Sequence, residues 1–123
     1  MKKFLFIIPI IFLFSCTQVN NASIVKTPTA TVTITNISQD YFEYSNDYSY
    51  VDITYDIKNT GNVEINYYKI YFIVTCKDGT TYTDWNIGID LSPNETQPGD
   101  LGIYTSWKQY STVKVLSMQL DSY

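Results

Sequence analysis

An all-β fold, an antiparallel sandwich of about seven short strands, is the class that this sequence predicts. Three observations predict it. From residue 29 onward apolar side chains recur with period two, which is typical of strands that are buried on one face. No stretch keeps a period of 3.6 residues, so no amphipathic helix is expected. Turn-forming residues separate the apolar stretches about every ten residues, as in small sandwiches.

The first two strands are predicted from their alternation. In "ATVTITNI", Val32 and Ile34 alternate with threonines. In "YVDITYDIKN", four apolar residues alternate with acids, a threonine and a lysine, so one face is expected to be buried and the other solvated. The four predicted inward residues are Val51, Ile53, Tyr55 and Ile57.

A hairpin follows in the middle of the chain. "NTGN" turns into a strand at residues 64–76, whose last part places four residues on one face: Ile70, Phe72, Val74 and Cys76. "KDGT" contains Asp-Gly, the strongest short hairpin signal, and the chain returns along "TYTDWNIGIDL". This lone Cys76 is expected to be a buried small hydrophobe, with a reactive thiol as the alternative.

The last third of the domain is predicted as turns and two strands. "LSPNETQPGDLG" predicts two turns, the second with Pro98 and Gly99 at its centre. A strand "GIYTSW" follows, and then a final strand "VKVLSMQL". In this last strand Leu116, Met118 and Leu120 are expected to face inward.

The stretch "YFEYSNDYSY" contains no aliphatic residue. Because successive residues of a strand point to opposite faces, its rings are assigned to the inner or the outer face by whether their residue numbers are odd or even (their parity). Tyr48 and Tyr50 share the outward parity of Asp52 and are predicted to be surface. Phe42 and Tyr44 are predicted to point inward if the parity of the first strand persists, whereas a bulge at residues 36–40 would invert this assignment.

Three segments together resemble a known domain family. "YVDITYDIKNTGN", "IYFIVTCKDG" and "LSPNET" are similar to the FxLYD and related immunoglobulin-like domains of bacterial envelope proteins, over roughly residues 30–121. The resemblance implies an immunoglobulin-like antiparallel β-sandwich without catalytic residues. Asn94 stands where the family usually has glycine, and asparagine tolerates the positive φ that this position requires.

The N-terminus has the layout of a secretory signal. In "MKKFLFIIPIIFLFSC", two lysines precede an apolar run that is too short to span the roughly 30 Å of bilayer hydrocarbon. Residues 13–16, Leu-Phe-Ser-Cys, resemble the lipobox of bacterial lipoproteins, which implies cleavage before Cys16 and its acylation. The alternative is an ordinary secretory signal followed by a stray thiol.

Three regions are therefore expected: a lipoprotein signal peptide at residues 1–15, a lipidated Cys16 with a flexible polar tether at 16–28, and the β-sandwich domain at 29–123. The expected location is a bacterial cell envelope, with the membrane bound through the lipid on Cys16. Thr17 is not aspartate, so the sorting rule of the lipoprotein family favours the outer over the inner membrane.

Composition excludes several classes of function. The formal charge of the chain is −4, and removal of Lys2 and Lys3 with the signal peptide would make it −6. The chain has no arginine cluster that could contact phosphates, so nucleic acid is not an expected partner. The chain has no histidine, the commonest general base and metal ligand. We expect no enzyme, no cofactor and no metal site, although a Ser-Lys or Asp pair, or calcium at loop acids, stays open.

Aromatic recognition is the remaining chemistry, because the chain carries 12 tyrosines and 2 tryptophans. Exposed rings present a large rigid area at low entropic cost. Tyr48, Tyr50 and Trp85 form the candidate binding surface. The expected function is a non-enzymatic interaction module that binds another envelope protein; the alternative is a carbohydrate-binding module that reads cell-wall or host glycans through these residues.

Overall fold

The computed structural model describes residues 26–123. The predicted signal peptide, Cys16 and most of the predicted tether lie outside the described residues. Within 26–123 the chain forms strands and turns and no helix. The strands are β1 (Ala30–Ser38), β2 (Tyr41–Phe42), β3 (Asp47–Tyr48), β4 (Val51–Asn59), β5 (Ile65–Cys76), β6 (Thr81–Leu91), β7 (Thr96–Ile103) and β8 (Tyr110–Asp121).

Two three-stranded antiparallel sheets, in the orders β1-β4-β7 and β6-β5-β8, make up the sandwich. A short separate hairpin joins β2 to β3. The predicted all-β antiparallel sandwich is confirmed: six of the eight strands in residues 26–123 form it, and the other two, each two residues long, form the hairpin. The immunoglobulin-like connectivity stays a prediction.

The core lies between the central strands β4 and β5. All four predicted inward residues of β4 are at most 1% exposed, and the buried face of β5 meets them in one apolar cluster. The rings of Tyr55 and Phe72 join the sheets, with centroids 5.0 Å apart. The period-two prediction is therefore confirmed for both central strands.

Two inward tyrosines cover glycines on the neighbouring edge strands. Tyr68 of β5 lies over Gly88 of β6, and Tyr55 of β4 lies over Gly99 of β7. The Tyr68 hydroxyl also donates a hydrogen bond across the sandwich to Gln97 Oε1 of β7, at 3.0 Å. Burial is the main cause that raises the pKa of both tyrosines.

The turn predicted at Pro98 and Gly99 is wrong. Both residues lie inside β7, where Pro98 is opposite Asp56 and Gly99 is opposite Tyr55. β7 is an edge strand, and an edge tolerates proline because the missing N–H would have faced outward. The strand predicted from "GIYTSW" ends at Ile103, and residues 104–109 form a loop.

Only one of the three inward residues predicted in the last strand is packed on the core. Val115 is opposite Phe72 and Ser117 is opposite Tyr71, so Leu116 is the extra residue of a bulge. Leu116 is consequently 54% exposed. Met118 lies opposite the buried Ile70, on the inner side, but is still 38% exposed on this edge strand, whereas Leu120 contacts the core.

The inward orientation predicted for Phe42 and Tyr44 is also wrong, since they are 49% and 109% exposed. A register shift between Ile34 and Asn36 inverts the parity of β1, and beyond Ser38 the chain leaves the sheet for the β2-β3 hairpin. Tyr50 is exposed, as predicted.

Local turn chemistry agrees with the sequence at two positions. Gly79 has φ +87° in the hairpin that joins β5 to β6, and Asn94 has φ 64° in the turn before β7. Cys76 is a free, buried thiol at the end of β5, as expected of a small hydrophobe.

Candidate binding surfaces

The structure does not bring the three predicted binding residues together. Tyr48 and Tyr50 lie at one end of the sandwich, where Tyr50 is beside Gly102 and the outward-facing Asp52. Trp85 lies on the outer face of the other sheet, directly opposite Tyr71. Tyr50 and Trp85 therefore belong to two separate aromatic surfaces.

The first surface, which we call the loop cluster, consists of five rings from two segments. The ring centroids of Tyr41 and Tyr48 are 4.9 Å apart, those of Tyr50 and Tyr104 are 5.2 Å apart, and Trp107 meets Tyr104 edge-on at 5.3 Å. Such tilted and edge-on pairs are the favoured aromatic geometries. The two segments, residues 39–50 and 104–109, contain no aliphatic residue.

Gln39 holds the two segments of the loop cluster together. Its Nε2 donates hydrogen bonds to the carbonyl oxygens of Ser49 and Lys108, each at 2.9 Å. Its Oε1 accepts from the Tyr110 N–H at 2.9 Å. One side chain thus bridges the hairpin, the loop after β7 and the start of β8.

The backbone of the loop cluster adopts left-handed conformations at three residues other than glycine. Asn46, Ser106 and Trp107 have φ values of 58°, 53° and 64°. Such conformations are sparsely populated and persist where surrounding contacts hold them. Here the Trp107 carbonyl accepts a hydrogen bond from the Tyr48 N–H at 3.3 Å, and Thr105 is fully buried beneath the turn.

Sequence reasoning missed Tyr104 and Trp107 as partners of Tyr50. They are more than fifty residues away along the chain, and "YTSW" has an apparent strand pattern. Their proximity follows from the pairing of β7 with β4, which brings the loop after Ile103 beside the residues that precede Val51. No local signal encodes that pairing.

The second surface, which we call the sheet face, is the outer side of β6 and β5. Its members are the six residues Tyr67, Lys69, Tyr71, Trp85, Ile87 and Ile89, which form three directly opposite cross-strand pairs. Trp85, Ile87 and Ile89 are 47%, 48% and 61% exposed. The outer side of the other sheet instead carries mostly threonine and aspartate.

Lys69 lies above the aromatic part of the sheet face. Its Nζ is 4.0 Å from the ring centroid of Trp85 and 5.0 Å from that of Tyr71. A cation above a ring face is attracted by the ring quadrupole, with a contribution of about 0.5–1 kcal/mol at exposed sites. This contact favours the observed position of the Trp85 ring.

The strand edges carry features that discourage pairing with another strand. On β6, the Trp85 N–H donates to Asp84 Oδ1 at 2.8 Å and the Ile87 N–H donates to Asn86 Oδ1 at 3.0 Å. β7 contains Pro98, and both β1 and β8 are bulged. Satisfied or irregular edges do not template a further strand, so binding by the faces and loops is favoured over strand addition.

An ion pair stabilises the loop between β5 and β6 beside the loop cluster. Lys108 Nζ lies 2.9 Å from Asp78 Oδ2, and the Thr80 N–H donates to Asp78 Oδ1 at 2.9 Å. The hydrogen bonds from Lys108 and Thr80 hold the pKa of Asp78 well below its usual range. Burial raises the pKa of the nearby Cys76 thiol, which disfavours its nucleophilic thiolate form.

Two further results concern residues 26–123 alone. No group of three or more histidine, cysteine, aspartate or glutamate side chains in this range is arranged to hold a metal ion. No helix in the described part of the chain is long and apolar enough to cross a membrane.

Comparison with known proteins gives distant structural likenesses. No protein-family model and no curated protein matches the chain. The chain is similar to β-glucosidase 3B from Thermotoga neapolitana in complex with α-D-glucose, with 10% identity, a TM-score of 0.44, and coverage of 76% of this chain but only 17% of the glucosidase. It is also similar to the uncharacterized lipoprotein YajI from Escherichia coli, with 11% identity, a TM-score of 0.38, and coverage of 89% and 77% of the two chains.

Proposed function

We propose that this chain is a lipid-anchored bacterial envelope protein whose sandwich domain is a non-enzymatic module that binds another envelope protein through the sheet face. The observation that carries the proposal is the row Trp85, Ile87 and Ile89, exposed at successive outward positions of one edge strand. An exposed apolar patch of this kind is typical of an interaction surface.

The chemistry of the sheet face suits a protein partner. Ile87 and Ile89 offer aliphatic surface, and Trp85 supplies the kind of large ring that dominates binding energy at interfaces. Its two strands lie about 4.8 Å apart and its three cross-strand pairs extend over roughly 17 Å, which gives a face of roughly 160 Å². Stable complexes bury about 800 Å² on each partner, so the sheet face favours a transient contact.

Membrane anchoring compensates for a weak contact. A lipid on Cys16 would confine the domain and a membrane-bound partner to the same layer, which raises their effective concentration. Residue 17 is threonine, and by the lipoprotein sorting rule this favours the outer membrane where two membranes are present. Direct mass measurement of the mature N-terminus tests acylation, and an unmodified Cys16 would contradict the anchored form.

Site-specific photocrosslinking in intact envelopes tests the protein-binding function. A photoreactive amino acid at Ile87 should give a discrete adduct with another envelope protein. The matched control is the same amino acid at Thr54, which lies on the outer side of the other sheet and is also exposed. Trp85→Ala should weaken the adduct at position 87, and equal labelling from positions 54 and 87 would refute docking on the sheet face.

A second candidate function is carbohydrate binding, which the loop cluster favours. Its exposed rings Tyr50 and Trp107 are surrounded by hydroxyl and amide side chains, in contrast to the aliphatic sheet face. Because Trp85 lies on the other surface, this function would use Tyr48 and Tyr50 without it.

A further inference from the structure

We infer that the loop cluster is a preformed binding site for an uncharged glycan, at the end of the domain that faces away from the membrane. The inference rests on the proposed role as an anchored interaction module, and it adds a second ligand on a second surface. Position, chemistry, rigidity and charge each support it.

The loop cluster lies at the opposite end of the sandwich from the point where the chain enters the domain. β1 begins at Ala30, opposite Asn59, whereas the loop cluster borders the other ends of these two strands, at Ser38 and Val51. Nine-residue strands separate the two ends by roughly 26 Å. A domain tethered through its N-terminus therefore presents the loop cluster away from the lipid, toward the polymers that surround a cell.

The chemistry of the loop cluster suits sugars. The face of an aromatic ring carries partial negative charge, and it attracts the weakly positive C–H groups on the flat side of a pyranose. Tyr50, Tyr104 and Trp107 provide adjoining exposed rings, each between 43% and 49% exposed. Two segments of tyrosine, tryptophan, serine, asparagine and glutamine provide adaptable hydrogen-bonding groups around those rings.

Hydrogen bonds hold these rings before any ligand arrives. Asp40 and Ser49 close the base of the hairpin by backbone and side-chain bonds of 2.8 Å, and the Tyr41 hydroxyl donates to the Asn46 side chain. Gln39 joins this hairpin to the loop that carries Trp107. Prior ordering reduces the entropic cost of binding, and this cost is what limits weak sugar contacts.

The charge of the loop cluster disfavours an anionic ligand. The two segments carry three carboxylates, those of Asp40, Glu43 and Asp47, and one lysine. That lysine, Lys108, is already paired with Asp78 at 2.9 Å. An anionic polysaccharide would meet like charge without a free cation within these segments, whereas a neutral one meets no such repulsion.

Affinity electrophoresis of the full, processed protein tests the inference. The protein would be kept in a detergent that has no sugar headgroup and run through native gels that contain neutral polysaccharides (soluble starch, hydroxyethyl cellulose or arabinoxylan) or acidic ones (alginate or polygalacturonate). We expect at least one neutral polysaccharide to retard the protein, and neither acidic one to do so. Trp107→Ala and Tyr50→Ala should each weaken binding at least tenfold.

Trp85→Ala is the matched control, because it removes an equally exposed ring from the sheet face. It should leave the retardation by polysaccharide unchanged while it weakens crosslinking at position 87. The glycan site on the loop cluster and the protein site on the sheet face can therefore be refuted separately. An unchanged thermal midpoint for Tyr50→Ala and Trp107→Ala separates lost binding from lost folding, and Trp107→Phe should restore part of the binding. Retardation by none of the neutral polysaccharides, retardation by the acidic ones alone, or equal loss in Trp85→Ala would overturn the inference.

Discussion

Asn59 is the polar residue on which the tether end of the sandwich depends. It is fully buried, and its Nδ2 donates to the carbonyl oxygens of Val63 and Leu91 at 2.8 and 2.9 Å. Its Oδ1 accepts from the Gly61 N–H at 2.9 Å. The turn after β4 is therefore held by one side chain, a role that "KNTGN" does not distinguish from an ordinary asparagine turn.

Replacement of Asn59 should destabilise the domain strongly. Asn59→Ala leaves two carbonyls and one N–H without their partner, and an unpaired buried polar group costs about 1–3 kcal/mol. We expect the free energy of unfolding to fall by about 2–4 kcal/mol, measured by urea denaturation. The exposed neighbour Asn62 is the control: Asn62→Ala should change stability by less than about 0.5 kcal/mol, and equal effects would contradict the assigned role.

Asp78 makes stability depend on pH in the acid range. Its folded pKa is lowered, chiefly by the hydrogen bond from Lys108 and then by those from Thr80, whereas an unfolded aspartate has a pKa of about 3.9. The unfolded chain thus binds the proton more readily, and the contribution is present above the unfolded pKa and lost as pH falls through the folded pKa. The free energy of unfolding should drop below about pH 4, less steeply in Asp78→Asn.

Lys108→Gln tests whether the ion pair causes this effect. It should reduce the acid-side slope as Asp78→Asn does, and the double variant should add little, because both changes remove one interaction. Slopes equal to that of the wild type in both single variants would show that the pair does not stabilise the fold. The measurement is denaturant unfolding at a series of pH values.

At the scale of elements, strands with strict alternation were predictable and bulged ones were not. β4 alternates without interruption, and each predicted inward residue is buried. In β1 and β8 an extra residue inverts the parity partway along, which explains the wrong orientations of Phe42 and Leu116. A bulge needs no special residue type, so the one-dimensional pattern does not mark it.

The sequence alone does not show whether a glycine marks a turn or a strand position that is covered by a neighbouring ring. Asp-Gly correctly predicts the turn at Gly79, whereas Pro98-Gly99 predicts a turn where Gly99 in fact lies under Tyr55 inside a strand. The distinction depends on which ring lies on the neighbouring strand. Only strand pairing supplies that information.

Gly88→Ala should destabilise the sandwich by steric overlap. The added methyl group would collide with the Tyr68 ring, whose hydroxyl is also bonded to Gln97. Overpacking of this kind costs about 1–3 kcal/mol, and thermal or urea unfolding measures it. Gly102→Ala is the control, since its methyl would meet Asp52 Oδ1 at 3.3 Å and have room beyond it; equal losses in the two variants would argue against the Tyr68 contact.

At the scale of the whole molecule, the sequence predicted the exposure of some rings, though not that of Phe42 and Tyr44, and it did not predict which rings are neighbours. Parity correctly placed Tyr50 on the surface, and Trp85 is exposed too. Whether two exposed rings share one surface depends on sheet order, which joins Tyr50 to Trp107 and separates it from Trp85. A candidate site assembled from two loops that are distant in the chain and are brought together by strand pairing is therefore the part least accessible to sequence reasoning.

The capped edge of β6 discourages strand pairing between copies beside the apolar sheet face. Trp85 and Ile87 lie on an edge strand, where free N–H groups beside large apolar side chains would template pairing between copies. Asp84 and Asn86 satisfy those two N–H groups. The double variant Asp84→Val with Asn86→Val frees them while it raises β-propensity.

We therefore expect this double variant to self-associate, as measured by size-exclusion chromatography with light scattering and by thioflavin binding. Thr81→Val with Thr83→Val is the control for added β-propensity, because it adds the same side chains to outward positions of the same strand without freeing an N–H. Asn86 Nδ2 also donates to the Asp100 carbonyl oxygen, so the thermal midpoint of the Asp84 and Asn86 variant is measured alongside to separate edge pairing from lost folding. The control should stay in the oligomeric state of the wild type. Association of both double variants to the same extent would assign the effect to hydrophobicity alone, and a wild-type oligomeric state in the Asp84 and Asn86 variant would show that edge capping is not what limits pairing.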